Sequence, residues 1–131
     1  MDNKITRCLF VHGTEERAGK EAAKIALEIA KERGLEITAD YVSLREVIGY
    51  VCDKLGNRQQ NNPRTETFER ANLIYTMNEM QSSELQNLNG MLEGTITCLS
   101  MQTNPMTESH WGGYIQELKD KLSLRMPRRD S

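Results

Sequence analysis

The sequence predicts an α/β domain, a parallel sheet covered by helices on both faces, and three observations carry that expectation. Short β-branched or apolar runs alternate along the chain with segments whose apolar residues recur at helical spacing. The run "RCLFVHGTEERAGKEAAKIALEIAKERG", residues 7–34, reads as a strand that passes through a short polar turn into an amphipathic helix. Strands separated by helices pair in parallel through right-handed crossovers, because only a crossover returns the chain to the same end of the sheet. At 131 residues the chain suits one domain with one core. That domain is expected over residues 1–124, followed by a basic tail, "RMPRRDS", over residues 125–131 that is expected to fray.

The elements follow in order. A first strand is expected over residues 5–11, "ITRCLFV", ending abruptly at His12-Gly13-Thr14. From Glu15 to Arg33, Ala22, Ile25, Ala26, Ile29 and Ala30 fall on one helix face. Thr14 is the expected N-cap, Glu15 and Glu16 suit the positive end of the helix dipole, and Gly34 suits a left-handed stop. In "LEITADYVSL", Leu35, Ile37, Ala39 and Tyr41 alternate with polar positions, which is a second strand. Leu44, Val47, Ile48 and Val51 then return to helical spacing over residues 43–54, with Ser43 as cap. Residues 55–67, "LGNRQQNNPRTET", read as a polar, mobile connection.

The second half admits two readings. Leu85, Leu88, Leu92 and Leu99 roughly follow a heptad, as one long helix would require. Against that, "ANLIYTM" (71–77) and "TITCLSM" (95–101) are short strand-like runs bounded by Asn78 and Gly94. The strand–helix–strand reading is preferred, with Ser82 or Ser83 capping a helix through Leu92. As inner parallel strands these runs should bury Leu73, Ile74, Ile96, Cys98 and Leu99 almost completely. A last helix is expected over residues 109–122, carrying Trp111, Tyr114, Ile115 and Leu118 on one face.

Composition excludes several classes. Hydrophobic residues at 37% and charged residues at 27% describe a globular chain, and a net charge of −2 argues against a non-specific nucleic-acid binder. No apolar run approaches a membrane span, and "MDNKITR" lacks the apolar stretch of a signal peptide. Three widely spaced cysteines, Cys8, Cys52 and Cys98, fit a reducing cytoplasm better than a disulfide or zinc framework. Met77, Met80, Met91 and Met101 read as core filler.

Ligands of open parallel sheets bind at the carboxyl ends of the strands. The turn after the first strand lies there, as does the loop "QTNPMTES" after the fourth. "GTEERAGK" is not a Walker A loop, since five residues separate Gly13 from Gly19 and Glu21 stands where Ser or Thr would hold magnesium. His12, His110 and Glu108 are the nearest approach to a metal set, and neither a metal nor another cofactor is expected.

The segments "LFVHGTEERAGKEAAKIALEIAKERGL" and "FERANLIYTMNEMQSSEL…ITCL" resemble the low-molecular-weight protein tyrosine phosphatase superfamily, with "ANLIYTM" as the most specific part. The resemblance leaves residues 44–66 unaligned. It implies a four-stranded parallel sheet of order 2-1-3-4. It also implies a phosphate loop, Cys-x5-Arg-Ser/Thr, whose backbone amides and arginine hold the phosphate while the thiolate attacks phosphorus. Here His12 stands where that nucleophile belongs, Arg17 comes one position early, and Ala18 follows it in place of a hydroxyl residue. Glu15 and Glu16 add two carboxylates that would repel a dianion. The family's general acid is an aspartate in the loop after the fourth strand; Asn104, before Pro105, takes its place, and an amide cannot donate and reclaim a proton.

The start of the chain is also similar to IIB-type sugar phosphotransferase subunits, which carry phosphate on a cysteine at the end of the first strand; His12 breaks that pattern equally. "HGTEER" is similar to the "RHGxTE" loop of histidine phosphatases, but Val11 replaces the phosphate-binding arginine. The expectation is therefore a catalytically degenerate phosphatase-like domain. Its ligand-binding set would be His12, Gly13, Thr14, Glu15, Glu16, Arg17, Ala18 and Asn104, taking a phosphorylated small molecule, a phosphoprotein or another anion. Two alternatives stand beside it: an active phosphatase or phosphotransferase using His12 and Arg17, and a pure protein–protein interaction module, with a homodimer left open.

Overall fold

The computed structural model describes residues 5–55, 65–87, 94–103 and 107–127. In chain order they form β1 (Thr6–His12), α1 (Glu16–Arg33), β2 (Ile37–Ser43), α2 (Leu44–Leu55), α3 (Thr65–Arg70), β3 (Leu73–Thr76), α4 (Glu79–Gln86), β4 (Thr95–Cys98) and α5 (Glu108–Arg125). The four strands make one sheet in the order β2-β1-β3-β4, and every pairing is parallel. The long-helix reading of the second half is excluded.

Two cores flank the sheet. On one face α1 and α5 cover Phe10 and Tyr75, which are neighbours in register and stack with centroids 5.1 Å apart. The alanine-rich side of α1 (Ala22, Ala23, Ala26, Ala30) brings that helix close to the strands. On the other face Leu9, Val11, Val42 and Ile74 meet Val47 and Val51 of α2, Phe68 of α3 and Leu85 of α4. The central strand is therefore apolar on both sides, as a covered parallel strand must be. Burial of the two runs falls short of the expectation: Ile74 and Leu99 are 1% exposed, but Leu73 at the start of β3 and Ile96 and Cys98 of β4 are only half-buried. For Ile96 and Cys98 the reason is position, because β4 pairs only with β3 among the described strands and is an edge strand.

Helix ends explain where the elements stop. Gly34 adopts the left-handed conformation (φ 69°), and Leu35 N–H donates to Ala30 O, closing α1 as expected. Ser43 Oγ accepts from Glu46 N–H at 3.1 Å while the Glu46 carboxylate accepts from Ser43 N–H, a reciprocal capping box for α2. Glu15, not Thr14, caps α1: its carboxylate accepts from Arg17 N–H at 3.3 Å. Asn78, not Ser82 or Ser83, caps α4, its Oδ1 accepting from Gln81 N–H at 2.9 Å.

Two further corrections concern segments expected to be irregular. Part of the polar connection forms α3, anchored by Phe68, whose ring lies 4.8 Å from that of Tyr50. The chain also stays ordered beyond residue 124. Met126 is 3% exposed, and the Arg33 guanidinium donates to the carbonyls of Ser123, Met126 and Pro127. Residues 128–131 lie outside the described residues. Among the described residues no helix is long and apolar enough to cross a membrane.

Candidate functional site

The β1–α1 turn sits at the carboxyl end of the sheet, where β1 has β2 on one side and β3 on the other. That reversal of chain direction opens the crevice in which such sheets take ligands. Here it is a cleft of about 610 Å³. Gly13, Thr14, Glu15 and Ala18 form one wall, Met77, Asn78 and Gln81 a second, and Met101, Gln102 and Thr103 a third, with Tyr114 also lining it.

The third wall is held by α5. Past β4 the chain turns at Ser100, a non-glycine residue at φ 52°, and Met101 N–H then donates to Met77 O at 2.8 Å. Lys121 Nζ donates to Ser100 O at 2.6 Å, and the Glu117 carboxylate accepts from Gln102 N–H at 2.6 Å and Thr103 N–H at 2.8 Å. Partial burial opposes the charge on Glu117, yet those backbone amides, the Thr103 side chain and the Lys121 ammonium hold its carboxyl below the ordinary value.

The second wall carries Gln81, 4% exposed. Its side-chain oxygen accepts from Met77 N–H at 2.9 Å, which fixes the amide orientation and turns Nε2 toward the turn. A Cβ on Gly13 would lie 3.3 Å from that Nε2, so the absence of a side chain there permits the approach. No partner for Nε2 is present among the described residues.

His12 faces elsewhere. Its ring is 5% exposed, and Nδ1 lies 2.9 Å from Gly13 O, so Nδ1 carries the proton. The ring packs against α1 at Gly19 and lies 6.1 Å from the Tyr41 ring. It opens on a separate cleft of about 680 Å³, shared with Thr14, Glu16, Ser43, Arg45 and Glu46. Gly13 and Thr14 line both clefts.

Arg17 belongs to neither cleft. Its guanidinium donates to Glu108 Oε1 at 3.0 Å and lies 4.3 Å from the Trp111 ring centroid. Of the eight residues singled out from the sequence, the structure thus brings Gly13, Thr14, Glu15 and Ala18 together, assigns His12 and Glu16 to the second cleft, and draws Arg17 onto α5. Asn104 lies outside the described residues. His110 is exposed with Nδ1 3.2 Å from Thr107 Oγ1, and no group of three metal-ligating side chains forms among the described residues.

None of the cysteines lines either cleft. Cys8 is buried inside β1, and burial pushes its thiol up to about 11. Cys52 is exposed on α2, and Cys98 sits at the end of β4 with Sγ 3.5 Å from Ser100 Oγ.

Gln81 and the Glu117 clamp are the site features that sequence reasoning missed. A signal for the first was present: in "NEMQ" an Asn cap three residues before Gln places that glutamine on the first turn of a helix at the ligand end of the sheet.

No protein-family model matches the chain, and no curated protein matches its sequence. Its fold does match solved structures. A low molecular weight protein tyrosine phosphatase from Bacillus subtilis superposes with a TM-score of 0.63 at 13% identity, over 90% of this chain and 93% of that one. A protein tyrosine phosphatase from Entamoeba histolytica gives 0.65 at 13% identity, over 96% and 99%. The lactose-specific IIB domain of a phosphotransferase system from Streptococcus pneumoniae gives 0.55 at 12%, over 92% and 94%. The fold is that of the low-molecular-weight phosphatases, and IIB domains share it at a lower score.

Proposed function

We propose that this chain is a phosphatase-fold protein without the thiol chemistry of that fold, acting as a binding or regulatory domain through the cleft at the β1–α1 turn. The observation that carries the reading is what occupies the turn. In thiol phosphatases of this fold a cysteine ends β1, free amides open α1, and an arginine reaches over the phosphate. In this chain His12 ends β1, the Glu15 carboxylate already accepts from Arg17 N–H, and the Arg17 guanidinium is paired with Glu108 over Trp111. A phosphate entering the cleft would meet a carboxylate and no cationic side chain among its described lining residues. A phosphorylated or other anionic ligand would need Glu15 to swing away first.

A second reading, phosphoryl transfer by His12, draws on a single observation. With Nδ1 engaged by Gly13 O, His12 Nε2 has no partner among the described residues, and its ring borders the second cleft beside Arg45. Arg17 would take no part in it. Hydrolysis of para-nitrophenyl phosphate separates the readings. The binding reading expects background rates from the wild-type chain and from His12→Ala alike. Turnover lost in His12→Ala would establish the second reading, and turnover lost on treatment with iodoacetamide would restore the thiol mechanism.

A further inference from the structure

We infer that the cleft takes an uncharged planar aromatic amide, whose carbonyl oxygen accepts from Gln81 Nε2 and whose N–H donates to Glu15. The inference rests on the binding-domain reading above and names its ligand class. Gln81 is the central observation. A primary amide buried to 4% exposure normally satisfies both ends. Here the oxygen is satisfied by Met77 N–H, while the nitrogen borders the cleft beside Gly13 with no acceptor among the described residues. A buried donor left open is costly, and a ligand oxygen in the cleft removes that cost.

Charge and shape narrow the class. Glu15 is the one ionised side chain among the described lining residues, so the cleft attracts a donor and disfavours an anion. Its carboxylate holds Arg17 N–H through one oxygen at 3.3 Å, which leaves the second oxygen for a ligand. The apolar part of the lining is made by the thioethers of Met77 and Met101 and the ring of Tyr114. Sulfur packs favourably against aromatic rings, so these groups favour a flat ring over an aliphatic chain. A volume of about 610 Å³ is in the range of small-molecule sites.

The test is a titration of the full chain, followed by NMR of backbone and side-chain amides, with nicotinamide as the uncharged probe and inorganic phosphate as the charged one. The expected result is saturable movement of the Gln81 side-chain pair and of the Gly13 and Thr14 amides with nicotinamide, and no saturation there with phosphate. Gln81→Glu keeps an acceptor for Met77 N–H but removes the donor, and Gln81→Leu removes both. Each should weaken nicotinamide by roughly five- to tenfold, the worth of one buried hydrogen bond. Because Gln81→Glu is isosteric, it answers the question even if Gln81→Leu fails to fold. Nicotinamide binding unchanged in Gln81→Glu overturns the role of Gln81. Phosphate saturating the cleft while nicotinamide leaves it still overturns the ligand class and leaves the binding reading standing, and silence with both probes overturns the inference. Aryl phosphate turnover by the same sample would instead remove the reading beneath it.

Discussion

Gly19→Ala tests how the turn is built, because it pits helix propensity against packing at one atom. Alanine in a helix interior is favoured over glycine by about 1 kcal/mol. At this position, however, the new Cβ would lie 2.6 Å from His12 Cδ2 and 3.0 Å from Tyr41 Cβ. The ring cannot simply withdraw, since it is 5% exposed and its Nδ1 holds Gly13 O at 2.9 Å. Overpacking of this kind costs about 1–3 kcal/mol, and straining the His12 hydrogen bond adds about 1 kcal/mol. The expected net effect is a loss of about 1–3 kcal/mol, or roughly 3–12 °C in Tm for a domain of this size. Gly112→Ala and Gly113→Ala are the controls: both glycines lie within α5 with nothing within 4 Å of the new Cβ, so each should gain about 0.5–1 kcal/mol. Thermal unfolding followed by circular dichroism reads all three. In a His12→Ala background, Gly19→Ala should cost clearly less, because the 2.6 Å contact is gone and only that with Tyr41 Cβ at 3.0 Å remains. If Gly19→Ala alone raises Tm as the α5 variants do, His12 does not pack against α1 and the geometry of both clefts is wrong.

Three further outcomes follow from the same structure. Arg33→Ala removes a guanidinium that serves three carbonyls at the end of α5, and urea unfolding should register a loss of about 1.5–3 kcal/mol. Ile74→Asp should leave the chain unfolded by circular dichroism, since an unpaired charge at a position 1% exposed costs several kcal/mol, on the order of a whole domain's stability; a folded variant would contradict the buried β3. Acid should release the third wall of the cleft: Glu117 is held below the ordinary 4.5, so its contribution is complete above that value and is lost as pH falls through the lower folded value. The Gln102 and Thr103 amide signals should therefore move with a midpoint below 4.5, and a midpoint at or above it would refute the clamp.

Much of the fold was legible in the sequence because it rests on local rules. The alternation of strand-like and helical periods, the Gly34 stop and the Ser43 cap each need only neighbours in the chain, and each is present. The order 2-1-3-4 already put β4 at the edge; what was missed is the consequence, that Ile96 and Cys98 of an edge strand are covered less completely than residues of an inner one. α3 was missed since its polar sequence is helical only through what Phe68 finds against Tyr50. The site divides along the same line. The sequence marks Gly13–Ala18 as the turn at the ligand end of β1, but it cannot tell that Arg17 leaves for Glu108, 91 positions away. Nor does it show that Gln81 and the Glu117 clamp complete the cleft, since those contacts exist only once α4 and α5 are packed on the sheet.

The central claim is that the phosphatase fold here no longer forms a phosphoryl-enzyme, and the most direct measurement is the intact mass of the protein. The folded chain is mixed with excess para-nitrophenyl phosphate, quenched under conditions that preserve both phosphocysteine and phosphohistidine, and weighed. With Cys8 buried and its thiol pushed up to about 11, with Cys52 and Cys98 outside both clefts, and with Glu15 holding the first turn of α1, the expected mass is that of the unmodified chain. A single phosphoryl adduct, mapped to a cysteine or to His12, would contradict it.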